Sequence, residues 1–109
     1  MNPIPPQQII GPDRPRTAAL AQRIIESCAF EWDVRPDLVT SKQRDSWIVV
    51  PRHAAMALMR ERGMTLSEIG KILGRHYASV IHGVRENRRR ADHCRKHAEK
   101  FENVRNLTK

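Results

Sequence analysis

Arg75, His76, Tyr77, Ala78 and Ser79 follow directly on Gly74, and residues of these types at the start of a helix can read base edges. An arginine fork can bond guanine O6 and N7 together, a histidine can donate to an acceptor, a tyrosine can pack on a thymine methyl or bond a phosphate, and a serine is short and permissive. A capped turn with solvated side chains is the plain alternative. Lys42 and Arg44 lie in a polar stretch, Thr40 to Ser46, where a basic loop can follow a phosphate backbone or insert an arginine into a narrow minor groove. A solvated loop fits equally well. Arg52 and His53 follow Pro51, at an expected helix start whose free amides attract phosphate, although a structural arginine also suits that place. Arg85 and Arg89, with Arg88 and Arg90, can hold phosphates or form the wet face of a helix.

Other chemistry finds little support. His93 and His97 stand four residues apart on one helical face with Cys94 between them, but a tetrahedral zinc site needs four ligands and nothing nearby completes the set. No metal site is assigned. The chain contains no GxxxxGK[ST], GxSxG or HExxH, so neither nucleotide hydrolysis nor another catalytic activity is expected, and no cofactor. Cys28 and Cys94 lack a CxxC partner and are expected to be small buried thiols.

Charge points to the kind of partner. The 109 residues allow one domain and carry 20 Lys+Arg against 12 Asp+Glu, a net charge of +8. Residues 1–34 hold three basic and four acidic side chains, 35–75 eight and four, and 76–109 nine and four. With 15 of the 20 basic groups being arginine, the excess suits double-stranded nucleic acid better than a small acidic ligand. Single-stranded nucleic acid or RNA is disfavoured because there are five aromatics (Phe30, Trp32, Trp47, Tyr77, Phe101), three of them on or near helical faces assigned to the core. The longest apolar run has six residues, Ala54 to Met59, against the roughly 20 needed to span a membrane. A soluble protein in the cytoplasm, associated with the nucleoid, is expected.

Helices must position these groups. Five of the seven prolines fall within residues 1–15, and residues 1–16 read as a disordered arm. Thr17 can cap a first helix of about Ala18 to Asp33, in which Ala21, Ile24, Ile25, Cys28 and Trp32 recur at helical spacing. Pro36 suits the first turn of a short second helix, and Pro51 the start of a third that runs to about Arg62 before Gly63. Thr65 and Glu68 form a capping box, with Met64 and Ile69 at the staple positions, for a fourth helix that stops at Gly74. One further helix carries Val80, Ile81, Val84, Ala91, Cys94, Ala98 and Phe101 as its buried stripe. The domain is expected over residues 17–104, with 105–109 as a tail. Two short helices joined by a tight Gly-containing turn, the second rich in arginine, describe a helix-turn-helix.

The segments Ser41-Lys42-Gln43-Arg44, Val50-Pro51-Arg52-His53-Ala54-Ala55-Met56-Ala57-Leu58, Leu66-Ser67-Glu68-Ile69-Gly70-Lys71-Ile72-Leu73-Gly74-Arg75 and Ser79-Val80-Ile81-His82-Gly83 together resemble the C-terminal DNA-binding domain of the bacterial replication initiator DnaA. Order and spacing agree over about residues 18–95. The resemblance implies a small all-α bundle related to the Trp repressor fold. It further implies that Arg44 enters the minor groove, that Lys42, Arg52 and His82 meet phosphates, and that a recognition helix opens after Arg75. Where the family has Gly-Gly-Arg-Asp-His-Thr/Ser-Thr, this chain has Gly74-Arg75-His76-Tyr77-Ala78-Ser79, one Gly shorter. His76 is expected to cap less well than an Asp, shifting the helix start by a residue, and the base readout to differ from the initiator's box. The reading is a stand-alone, sequence-specific DNA-binding protein without the initiator's ATPase domain, regulating replication or transcription. The alternative is a module that docks on a replication initiator or other replication protein and binds DNA only non-specifically.

Overall fold

The computed structural model describes residues 15–109. The proline-rich arm therefore lies outside the described residues except for its last two, which are helical. Pro15 opens α1 (Pro15–Glu31), because its fixed φ suits a first turn and its missing N–H would have no partner there. Thr17, the expected cap, is thus inside the helix and buried. The chain leaves α1 through Asp33 at φ 56°, with the Val34 amide returning to the Ala29 carbonyl at 2.8 Å, a Schellman-type closure.

After α2 (Pro36–Val39), helix α3 (Ser46–Glu61) begins five residues earlier than Pro51 suggests. In the helix interior Pro51 removes the one amide that would bond the Trp47 carbonyl. The added turn is held because Ile48 is fully buried, and that burial outweighs the lost hydrogen bond. Gly63, at φ 93°, then turns the chain, as expected.

Helix α4 (Leu66–Leu73) is closed at its N-terminus by the capping box. The Glu68 amide donates to Thr65 Oγ1 at 3.0 Å and the Thr65 amide to Glu68 Oε1 at 2.8 Å. At its other end Gly74 takes φ 65°, a left-handed geometry that costs glycine nothing. Gly70 is required for a different reason: a Cβ there would lie 2.5 Å from the Arg75 carbonyl oxygen. The tight turn between the two helices of the motif depends on that missing carbon.

The single last helix expected from the sequence is two, α5 (Tyr77–His93) and α6 (Arg95–Leu107). Cys94 breaks them with an extended backbone, φ −142° and ψ 110°, and is exposed where a buried thiol was expected. The break turns α6 back, so that His97 Nε2 meets Asn87 Oδ1 at 2.7 Å and its ring packs at 5.4 Å from that of Trp32. Residues 105–107, expected in a tail, are helical. Thr108 is fully buried, and its carbonyl accepts from Arg62 Nη1 at 2.7 Å.

The described residues form six helices and no strand, an all-α bundle as expected. Its centre is α3, buried from Pro51 through Met59 against Ile24, Ile25 and Cys28 of α1, Ile69 and Leu73 of α4, Val80 of α5, and Phe101 and Val104 of α6. Burial pushes the Cys28 thiol up to about 12, with Glu31 adding to the shift, so this cysteine is a core group and not a reactive one. Among the described residues no helix is long and apolar enough to cross a membrane.

Candidate nucleic-acid interface

Two connections, from Arg75 and Lys42, brace the loop between α2 and α3 against the turn between α4 and α5, and Arg52 of α3 holds that loop from the other side. Arg52, only 3% exposed, donates through Nε to the Val39 carbonyl at 2.8 Å and through Nη1 to the Gln43 carbonyl at 2.9 Å. Its Nη2 donates to the carbonyls of Leu38 and Ser41 at 3.1 and 2.9 Å. Arg75 Nη2 donates to the same Ser41 carbonyl at 2.5 Å, and Lys42 Nζ donates to the Gly74 carbonyl at 2.7 Å. Loop and turn are therefore one rigid unit.

The expectations for these residues change accordingly. Arg52 has turned inward to hold the loop, with most of its N–H groups spent on carbonyls, so it is not presented to a phosphate. Burial, and then the charge of Arg75, lower its pKa to about 10. Arg75 is also partly occupied: besides the Ser41 contact, its Nε is buried without a hydrogen-bond partner among the described residues. Lys42 keeps an exposed ammonium with one carbonyl partner. Arg44 is exposed on this loop and has no hydrogen bond or ion pair among the described residues.

Helix α5 supplies the second half of the surface. His76 is its N-cap, and His76 Nδ1 accepts from the Ala78 amide at 3.1 Å. His76 thus caps α5, which begins at Tyr77. Tyr77 is 50% exposed and stacks on His76 with ring centroids 4.5 Å apart. Ala78 and Ser79 are exposed beside them. An open cleft of about 480 Å³ joins the two halves, lined by Arg44, Val49, Arg52, His53, Met56, Arg75, Ala78, Ser79 and His82.

The remaining expected phosphate ligands divide. His53 is buried, with Arg90 Nη1 at 3.0 Å from its Nδ1. Burial, followed by the charges of Arg90, His82 and Arg52, lowers its pKa to about 4, so near neutral pH it is an uncharged packing group and no cation for phosphate. His82 is exposed and meets His53 edge-on at 5.6 Å. Arg85 is exposed, and Arg89 pairs with Glu86 at 2.9 Å.

One exposed group beside this surface escaped the sequence reading. Lys71 in the last turn of α4 borders the same surface as His76 and Tyr77, a place signalled by its basic type on the first helix of the motif. Trp47, at the start of α3, is 56% exposed. With Phe30 at 80%, three aromatics are exposed, more than the core assignments suggested. His93 and His97 do not converge: His93 Nδ1 meets the Arg89 carbonyl at 2.8 Å whereas His97 is buried against Asn87. Among the described residues no three His, Cys, Asp or Glu side chains are grouped to hold a metal.

Residues 21–86 match the family of the bacterial DnaA protein helix-turn-helix. No solved structure matches the chain.

Proposed function

The chain belongs to the bacterial DnaA helix-turn-helix family, a DNA-binding domain for duplex DNA, and on that premise we propose that it reads a short duplex site through two grooves at once. Arg44 enters the minor groove, and His76, Tyr77 and Ser79, with Nη1 of Arg75, face base edges in the adjacent major groove. Lys42, Lys71, His82 and Arg85 meet phosphates on either side. The observation that carries this reading is the bracing of the Arg44 loop to the start of α5 through Ser41 and Gly74. A fixed spacing between the two elements is what simultaneous contact with two grooves requires.

The biological role that follows is regulation of replication initiation or of transcription, in the cytoplasm at the nucleoid. Selection of bound duplexes from a random pool at about 150 mM salt tests it: an enriched motif is expected. Affinity for that motif should fall with salt at a log–log slope of about −5 if six phosphates are met. A flat salt dependence, or no enriched motif, overturns the proposal.

A second reading, a module that docks on replication machinery, is favoured by Phe30, 80% exposed beside Leu107, which is 56% exposed. It requires that activity in the cell survive replacement of Arg44 and Arg75 by Ala but not Phe30→Glu. The first reading requires the reverse.

A further inference from the structure

We infer that His76 selects guanine, acting as a hydrogen-bond donor whose polarity is set by its own helix cap. This rests on the reading of α5 as the helix that faces the major groove. The Ala78 amide is a donor, so the ring nitrogen that meets it at 3.1 Å, Nδ1, must carry a lone pair and no proton. In the neutral imidazole the single proton then resides on Nε2. Nε2 lies across the ring from Nδ1 and so points away from the backbone that Nδ1 faces.

The ring is held in this pose twice, by the cap and by the stack on Tyr77 at 4.5 Å. His76 is exposed, and Nε2 has no hydrogen-bond partner among the described residues. The first turn of α5 contains no acidic residue. At this point the surface therefore offers a fixed N–H.

The grooves decide what such a donor reads. Guanine presents two adjacent acceptors, N7 and O6, on its major-groove edge; thymine presents one, O4, beside its methyl group; adenine flanks its single acceptor with an amine, and cytosine presents an amine donor. A lone N–H is satisfied best by guanine and is set against cytosine, donor to donor.

The test separates reading from capping. His76→Asp keeps an N-cap acceptor of the best kind for the Ala78 amide while replacing the outward donor by an acceptor. Duplexes are selected by both proteins, and helix content is checked by circular dichroism. The two motifs are expected to differ at one position, guanine for the native protein and cytosine or adenine for the variant, each preferring its own base by roughly fivefold to tenfold, the low end for one mismatched pair. Nitrogen-15 NMR of the free native protein should show His76 protonated at Nε2 and not at Nδ1 when neutral. Identical motifs, a native preference for cytosine at that position, or an Nδ1-protonated ring overturns the inference while leaving duplex binding intact. An Nε2-protonated ring with no enriched motif from either protein overturns instead the DNA-reading premise, and the inference with it.

Discussion

The loop between α2 and α3 and the second half of α5 both concentrate arginine, and the fold uses the two concentrations differently. Around the loop, Arg52 and Arg75 donate into backbone carbonyls of residues 38–43, so their charge is spent on architecture while Arg44 stays exposed. Along α5, Arg85 and Arg88 are exposed and Arg89 pairs with Glu86 in solvent, where an ion pair contributes little. An arginine that bonds carbonyls fixes where a neighbour points; an arginine in water only adds to the field. Counting basic residues cannot separate these roles.

Breaking the bracing should have the largest effect. Arg52→Ala removes a buried guanidinium and leaves the Val39 and Gln43 carbonyls without their donor, and is expected to cost about 3 to 4 kcal/mol in denaturant unfolding. Arg52→Lys should restore little of it, since one ammonium cannot span Val39, Gln43 and Ser41. If Arg52→Ala costs no more than a surface substitution, the distinction between the two arginine sets fails.

The His53 side of the cleft gives a pH dependence. Its folded pKa, about 4, lies below the unfolded value of 6.5, so between these values the unfolded chain binds more protons. Stability should be full above pH 6.5 and fall as pH drops toward 4, by a total of about 2 to 3 kcal/mol. Burial lowers the pKa of His97 as well, with Arg90 and Lys100 adding to it, and contributes in the same sense. His53→Gln should flatten the pH profile, which equilibrium unfolding at a series of pH values would record.

Gly70→Ala presses a methyl group against the Arg75 carbonyl and should cost about 2 kcal/mol, with weakened DNA binding as the turn opens. Arg44→Ala sharpens the comparison from the other direction. It should leave stability within about 0.5 kcal/mol and reduce affinity for the selected duplex by about tenfold, read by fluorescence anisotropy. Least affected should be Arg85→Ala, which weakens all duplexes alike and reduces the magnitude of the salt slope by about 1. Arg89→Ala should do less, because Glu86 already holds that charge.

Legibility in the sequence follows the range of the interactions. Helix α4 was readable to the residue, since Thr65, Glu68 and Gly74 act within one turn of the backbone they cap. The start of α3 was not, because Pro51 is a strong local signal for a first turn and only the distant burial of Ile48 overrides it. The break at Cys94 has no glycine or proline to announce it; it exists because His97 packs on Asn87 and Trp32. Among the site residues, the types at His76, Tyr77 and Ser79 pointed to nucleic acid from their position at the turn of a helix-turn-helix pattern, and Arg44 from its polar, basic loop. A structural Arg52 stood in the sequence only as an alternative, and the burial of His53 was not legible at all, because both depend on partners contributed by α2 and α5.

The sequence by itself determined the all-helical class, the helix-turn-helix, the basic character and the residues available to meet DNA, since periodicity, capping and charge are properties of neighbouring residues. Tertiary structure alone decided which arginines became scaffold and which stayed outward. It also decided that α6 folds back on α1. Those outcomes depend on where a carbonyl or a ring from a distant segment comes to rest, and no local pattern encodes that.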